Sequence, residues 1–179
     1  MILDDIKELE RESLIRKIPI IGSEKGHWIM KQVETTQPKK VLELGTANGY
    51  SGIILGSLGA ELITVEKDKY VAEEAKMNFE KYNIHATVVV VDGVSFVDKL
   101  VKNKNNLESF DLIFIDFEKR SYIKVLDNLV ALLSKHGILI ADNISMQKCE
   151  DFKNSLLNNS TLSTEFVNIK DGFSLSHKK

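Results

Sequence analysis

The amino-acid sequence predicts an α/β fold in which a mostly parallel sheet carries helices on both faces. Short apolar segments typical of buried strands alternate along the chain with segments whose apolar residues recur at helical spacing. Alternation of this kind is the pattern of strand–helix–strand units, whose crossovers are right-handed. The strands predicted before the C-terminal region are 41–44, 62–66, 86–91, 110–116 and 137–142.

Helical segments fill the intervals between these strands, and a hairpin is expected at the end of the chain. Two further strand candidates, 163–169 and 173–177, are joined by Lys170-Asp171-Gly172, and Asp-Gly is a strong hairpin turn signal. The stretch from Pro19 to Gly26 is expected to be non-helical. The predicted helices are 2–17, 27–35, 49–58, 68–82, 94–103, 119–134 and 147–158.

Length and composition indicate one ordinary soluble domain spanning 1–179, because 43% of the residues are hydrophobic and 28% are charged. The formal net charge of -2 demands neither a nucleic acid nor a membrane as partner, although a local basic patch would still allow RNA. The chain has a single cysteine, Cys149. It shows no signal-peptide pattern and no apolar stretch near the ~20 residues of a membrane helix, so we expect a cytoplasmic protein.

Polar groups follow the predicted strands where a ligand is expected. In an open parallel sheet, ligands bind outside the carboxyl ends of the strands. The residues found there are a glycine loop from Gly45, then Glu66, Asp92, Asp116 and the pair Asp142-Asn143.

The glycine loop and the acid that follows it predict a nucleoside-containing ligand. Gly45 and Gly49 allow sharp turns and close approach of the backbone. Glu66 stands 21 positions after Gly45, where a carboxylate can accept both hydroxyls of a ribose. A plain tight turn without a ligand is the alternative interpretation of the loop alone.

The loop Glu43-Leu44-Gly45-Thr46-Ala47-Asn48-Gly49 resembles the first motif of class I S-adenosylmethionine (SAM) methyltransferases, Glu-x-Gly-x-Gly-x-Gly, with Ala47 at the middle glycine. A nicotinamide dehydrogenase would carry glycine at the positions of Ala47 and Tyr50. The resemblance therefore favours SAM, which has no pyrophosphate to accommodate.

Five further segments resemble the catechol and caffeoyl-CoA O-methyltransferase family, in the family's order from about residue 19 to the C-terminus. They are Gly22-Ser23-Glu24-Lys25-Gly26, Gly49-Tyr50-Ser51, Asp116-x-x-Lys119-x-x-Tyr122, Ala141-Asp142-Asn143 and Asp171-Gly172-Phe173-Ser174-Leu175. The resemblance implies a Rossmann-like class I methyltransferase fold, with seven strands and a reversed C-terminal hairpin. It also implies a homodimer, for which Ile2, Ile6 and Leu9 are the apolar side chains available.

The resemblance assigns site residues. Asp116, Asp142 and Asn143 are implied ligands of Mg²⁺ or another hard divalent cation, since the set contains only oxygen donors. Alternatively, Asp142 caps the next helix and Asn143 forms a turn, and Asp92 is equally compatible with a helix cap. The implied cofactor-binding residues are Ile21, Glu43, Gly45, Ala47, Gly49, Tyr50, Ser51, Glu66, Asp92, Gly93 and Asp116.

The expected chemistry is transfer of the sulfonium methyl group to a hydroxyl. Binding the hydroxyl to a divalent cation lowers its pKa, and Lys119 is the candidate base; a solvated lysine at a helix start is the alternative. We expect a small catechol-like acceptor, with a tRNA hydroxyuridine or a non-catalytic SAM-binding role as alternatives. Phe117 and Glu118 are expected beside the adenine and the substrate, whereas Tyr122, His27 and Trp28 are expected to pack.

Overall fold

The computed structural model of this chain describes residues 2–179 and contains one seven-stranded sheet, in the order β3-β2-β1-β4-β5-β7-β6. Strands β1 to β5 pair in parallel, and β7 pairs antiparallel with both β5 and β6. This architecture confirms the predicted fold class and the reversed hairpin. The strands are β1 Lys40–Leu44, β2 Glu61–Glu66, β3 Ala86–Val90, β4 Phe110–Ile115, β5 Leu133–Asp142, β6 Leu162–Val167 and β7 Phe173–Lys178.

Eight α-helices surround the sheet in the described part of the chain. They are α1 Ile2–Asp5, α2 Lys7–Ile15, α3 Gly22–Thr36, α4 Tyr50–Gly56, α5 Lys69–Lys81, α6 Gly93–Leu100, α7 Tyr122–Leu132 and α8 Glu150–Asn158. Single turns of 3₁₀ helix occur at Lys104–Asn106, Lys119–Ser121 and Gln147–Cys149. No helix within residues 2–179 is both long enough and apolar enough to cross a membrane.

Helix α3 begins earlier than the sequence predicts. The stretch up to Gly26 was expected to be non-helical, but the helix starts at Gly22, whose φ of +74° turns the chain into the first turn. The backbone N–H of Ser23 donates to Glu10 Oε1 at 2.7 Å, so the cap is supplied by a side chain of α2. A cap that comes from another helix leaves no local sequence signal.

The apolar side chains proposed for a dimer interface are used inside the chain. Ile6 is 0% exposed and Leu9 is 5% exposed, and both belong to the core on one face of the sheet. The expectation that they are available for a partner is therefore wrong. The homodimer itself stays a prediction, and its interface cannot be built from these two side chains.

Two apolar cores lie on opposite faces of the sheet, and neighbouring strand residues alternate between them. In β1, for example, Val41 faces the core with α3 and α4, whereas Leu42 faces the core with α7 and α8. Because β1 to β5 run in parallel, their carboxyl ends lie along one edge of the sheet. The fold thereby brings the polar strand ends together.

Candidate functional site

A cavity of about 630 Å³ opens at this carboxyl edge. It receives residues from the ends of all five parallel strands, from the segment before α3 and from the β6–β7 turn. Every predicted site residue lines it except Glu43 and Gly49. The residues that line the cavity include Pro19, Ile20, Lys25, Gly45, Ala47, Ser51, Glu66, Lys67, Asp92, Gly93, Asp116, Phe117, Glu118, Lys119, Asp142, Asn143, Met146, Lys170 and Asp171.

Gly45 lets the end of β1 lie directly against the end of β4. Its φ is +102°, and a Cβ at this position would lie 2.2 Å from the carbonyl oxygen of Asp116. The N–H of Asp116 in turn donates to the carbonyl of Leu44 at 2.8 Å. Only glycine fits here, so the glycine loop is a structural requirement for bringing Asp116 into the cavity.

Glu66 is held in place by the backbone on both sides. Its Oε2 accepts from the N–H of Ala47 at 3.1 Å, and its Oε1 accepts from the N–H of Asp68 at 3.0 Å. Ala47 itself has a φ of +46°, in the left-handed region of the backbone. Each carboxylate oxygen retains a further lone pair, so Glu66 can still accept two hydroxyl groups.

Glu43 does not line the cavity but is buried beneath the glycine loop, where it accepts hydrogen bonds. It is fully buried, and it accepts from Ser51 Oγ at 2.5 Å and from Thr64 Oγ1 at 2.6 Å. Burial raises the pKa of Glu43 to about 7, although these two hydroxyl groups oppose the rise. Gly49, the other predicted residue outside the cavity wall, packs against Phe79.

Asp92 and Gly93 have distinct structural roles at the end of β3. Asp92 Oδ1 accepts from the N–H of Ser95 at 2.9 Å, so its helix-cap interpretation is confirmed, and the residue also lines the cavity. A Cβ on Gly93 would lie 3.2 Å from ring atoms of Phe117. The Phe117 ring thus covers Gly93 and forms an apolar wall, 5.4 Å from the ring of Tyr122 between centroids.

Lys119 is partly buried against Asp116. Its ammonium group donates to Asp116 Oδ1, and its side chain is only 15% exposed. The alternative of a solvated lysine is therefore wrong. Tyr122 is buried, as expected, and its hydroxyl donates to the carbonyl of Ile115 at 3.0 Å, which fixes the start of α7 to the end of β4.

Asp142 and Asn143 join a buried network that the sequence does not reveal. Asp142 Oδ1 accepts from the Lys25 ammonium and, at 2.6 Å, from the N–H of Asn143. Burial raises the pKa of Asp142 to about 6, and Asp116 adds to the rise while Lys25 opposes it. Because α8 begins only at Glu150, Asp142 does not cap it, and that part of the alternative is wrong. The expected turn at Asn143 is confirmed, since its φ is +58° and its carbonyl accepts from the N–H of Met146 at 3.0 Å.

Lys25 and Asp171 are functional candidates that sequence reasoning missed. Both lie inside the segments that resemble the O-methyltransferase family, at positions to which the resemblance assigns no role. Burial opposes the shift, but the hydrogen bond and the charge of Lys25 hold the pKa of Asp171 below its ordinary value. His27 and Trp28 do not line the cavity: His27 Nδ1 contacts the carbonyl of Ser23 at 2.7 Å, and the Trp28 ring stacks on Phe173 at 4.8 Å between centroids.

The sheet order, the glycine loop and the strand-end acids together define a Rossmann-like fold with a candidate cofactor pocket. The O-methyltransferase family model matches residues 1–179, and the chain belongs to this family. The resemblance inferred from the motifs is confirmed.

Curated relatives include catechol O-methyltransferases. The chain is 34% identical to catechol O-methyltransferase B of Danio rerio over 140 residues, which are 74% of this chain and 52% of the relative. It is 30% identical to catechol O-methyltransferase of Sus scrofa over 141 residues, 74% of each protein. The chain thus spans about half the length of the Danio rerio relative and 54% of the one from Bos taurus.

Solved structures share the fold. The O-methyltransferase from Bacillus cereus in complex with SAH (S-adenosylhomocysteine) superposes with a TM-score of 0.86 at 21% identity, covering 99% of this chain and 90% of that one. An O-methyltransferase from Streptomyces achromogenes in complex with SAM has a TM-score of 0.86 at 19% identity, covering 99% and 89%.

Proposed function

We propose that the chain is a SAM-dependent O-methyltransferase. The observation that carries this proposal is that Asp116, Lys119 and the Asp142-Asn143 pair share one cavity with the Gly45 loop and Glu66. A cofactor pocket and a set of groups able to handle a hydroxyl proton thus adjoin each other. The cavity volume of about 630 Å³ lies within the usual range for small-molecule sites.

The charge and shape of the cavity support SAM as the cofactor. Six acidic side chains and four lysines line it, a balance that favours a ligand carrying positive charge, as the sulfonium does. Glu66 is oriented to accept a ribose diol, and the Phe117 ring offers an apolar face for the adenine. The relatives bound to SAM and SAH support the same assignment.

We also propose that Mg²⁺ or a similar hard cation assists the reaction through Asp116, Asp142 and Asn143. Within residues 2–179, no group of three or more His, Cys, Asp or Glu side chains could hold a metal ion, so the proposed set depends on an amide oxygen as its third donor. The three residues suit a hard cation, because one oxygen of each makes no hydrogen bond in the described structure and could act as a ligand. These oxygens are Asp116 Oδ2, Asp142 Oδ2 and Asn143 Oδ1. A bound cation would lower the pKa of the acceptor hydroxyl.

Lys119 is the proposed general base. Its Nζ lies beside the carboxylate of Asp116, which holds the side chain within the cavity. In its neutral form Nζ accepts the hydroxyl proton, while the hydroxyl oxygen attacks the methyl carbon and the methyl–sulfur bond breaks. The products are a methyl ether, SAH and the lysine ammonium, so charge and atoms balance.

The proposed acceptor is a small catechol-like aromatic. Pro19, Ile20 and Met146 line the cavity and give it apolar surface suited to a flat ring. A tRNA hydroxyuridine and a non-catalytic SAM-binding role are the alternatives.

A screen with methyl-labelled SAM tests the proposal. Label transfer would be measured to a panel of catechols and to total RNA, each with Mg²⁺ and with EDTA. We expect transfer to a catechol that EDTA suppresses and Mg²⁺ restores. Transfer to RNA alone would favour the tRNA alternative, transfer that EDTA leaves unchanged would refute the role of the metal, and SAH binding without any transfer would favour the non-catalytic role.

A further inference from the structure

Asp171 connects two groups of the site through its two carboxylate oxygens. It lies in the turn between β6 and β7, where Oδ1 accepts from the Lys25 ammonium and Oδ2 accepts from Asn143 Nδ2. The proposed reaction gives this residue no part, although it lines the same cavity.

Lys25 extends the connection to Asp142. Its side chain is 2% exposed, and its ammonium donates to Asp142 Oδ1 as well as to Asp171 Oδ1. The Phe173 ring lies beneath it, with its centroid 4.9 Å from Nζ. A buried ammonium is stable only when it is paired, so Lys25 holds both carboxylates in fixed positions.

The pairing selects the orientation of the Asn143 amide. An ionised carboxylate can only accept, so Asn143 must present Nδ2 to Asp171, and its Oδ1 then remains free. On the neighbouring residue, Lys25 and the N–H of Asn143 both occupy Asp142 Oδ1, and Oδ2 remains free. One oxygen of each residue is thereby left without a partner in the described structure.

We propose that Asp171, together with Lys25, is a positioning residue that presents Asn143 Oδ1 and Asp142 Oδ2 as cation ligands. The inference rests on the proposed function, because it assumes that a divalent cation is bound at this edge. Groups that hydrogen-bond to metal ligands typically change metal affinity by about 10–100-fold when they are altered.

The backbone around Asp171 keeps this geometry fixed. The N–H of Ile144 donates to the carbonyl of Gly172 at 3.2 Å, and the N–H of Ser145 donates to that of Asp171 at 3.0 Å. Gly172 has a φ of +80°, and a Cβ there would lie 2.8 Å from Ser145 Oγ. The β6–β7 turn is thus clamped onto the segment after β5, which holds the Asp171 and Asn143 side chains opposite each other.

The test measures Mn²⁺ binding by electron paramagnetic resonance in the presence of SAH, with SAH affinity measured by calorimetry. The variant Asp171→Asn keeps the size of the side chain, but its carbonyl oxygen must face the Lys25 ammonium, so its NH₂ group faces Asn143 and draws Asn143 Oδ1 away from the cation site. We expect its Kd for Mn²⁺ to rise about 10–100-fold, while its Kd for SAH stays within about twofold of the original.

Two companion variants separate position from charge. The double variant Asp171→Asn/Asn143→Asp has the original net charge and restores a donor–acceptor pair with the roles exchanged, so Mn²⁺ affinity should recover at least to that of the original protein, because the new ligand is a carboxylate. Glu118→Gln removes one negative charge from the cavity wall without contacting Asn143, and it should weaken Mn²⁺ binding far less than Asp171→Asn.

Several results would overturn the inference. These are unchanged Mn²⁺ affinity in Asp171→Asn, equal loss in Glu118→Gln, or no recovery in the double variant. If the unaltered protein binds no Mn²⁺, the metal part of the proposed function fails as well. If it binds Mn²⁺ but Asp171→Asn does not weaken the binding, only the positioning role of Asp171 fails.

The unaltered protein provides a further check if Asp171→Asn does not fold. In its nuclear magnetic resonance spectrum, the Asn143 side-chain amide should show one proton shifted downfield and protected from exchange, because it donates to a carboxylate. An amide signal with the shift and exchange rate of a solvated asparagine would overturn the inference.

Discussion

Replacing Glu43 by Gln should make the stability of the protein less sensitive to pH. Glu43 is buried beneath the glycine loop, and both of its oxygens accept from hydroxyl groups. An amide can replace the carboxylate because the hydroxyl groups of Ser51 and Thr64 can each donate or accept. Thr64 also shares a hydrogen bond with Thr46, at 2.5 Å between the hydroxyl oxygens. If the new amide donates to Thr64, Thr64 can in turn donate to Thr46, so every hydroxyl group keeps a partner.

The size and sign of the effect follow from the pKa of Glu43. Folding raises it from 4.5 to about 7, and each unit corresponds to about 1.4 kcal/mol, so ionising the buried carboxylate costs about 3 kcal/mol of folding free energy. Because folding raises this pKa, the protonated carboxyl group contributes its full share of the folding free energy below pH 4.5. That share is lost as the pH rises through 7 and the buried group ionises. Because glutamine does not ionise, the Glu43→Gln variant should gain stability relative to the original protein by about 3 kcal/mol between pH 4.5 and pH 8.

Urea unfolding at pH 5, 6, 7 and 8 would measure this difference. The matched control is Glu61→Gln, which alters an exposed glutamate of neighbouring β2 and should show no comparable trend. A difference between Glu43→Gln and the original protein that stays constant or falls with rising pH would refute the assignment of a raised pKa to Glu43.

Three further variants test the cavity. Gly45→Ala should destabilise the fold and abolish SAH binding, as seen by thermal unfolding and calorimetry, because its Cβ would overlap the Asp116 carbonyl; a normal melting temperature would contradict the close contact. Glu66→Ala should weaken SAH binding by about 1–3 kcal/mol in calorimetry, because the hydrogen bonds to the ribose are lost. Unchanged SAH affinity in the variant would count against the cofactor assignment. Tight binding of NAD alone by the original protein would also count against it. Lys119→Ala should keep SAH binding but lower kcat by about 10²–10⁴-fold in a labelled-methyl assay. Part of this loss should be recovered at higher pH, because the acceptor hydroxyl then ionises without a base. A kcat within about threefold of the original would exclude Lys119 as the base.

The features that the sequence predicts correctly are those fixed by local pattern. Strand ends are marked by a change from apolar to polar residues, so the positions of Glu66, Asp92, Asp116 and Asp142 could be predicted within a residue or two. Parallel pairing then brings those ends to one edge whatever the details of packing. Fold class and most lining residues follow from these two facts.

The features that the sequence could not predict depend on partners distant in the chain. Lys25 bonds to carboxylates 117 and 146 residues away, and no spacing rule reveals such a contact. The early start of β5 at Leu133, where the sequence predicts the end of a helix, reflects a pairing with Phe110 followed by an irregularity in the ladder. Tertiary pairing of this kind overrides the local helical pattern.

Product analysis after a single turnover would test whether the protein transfers a methyl group from SAM to a hydroxyl oxygen. The purified protein, in excess over methyl-labelled SAM, would be mixed with Mg²⁺ and a catechol selected by the screen, and SAH and methylated acceptor would be quantified by mass spectrometry. We predict equal amounts of SAH and of an acceptor methylated on a hydroxyl oxygen, with both products lost on addition of EDTA. Formation of SAH without a methylated acceptor, or methylation at carbon or nitrogen, would contradict this prediction.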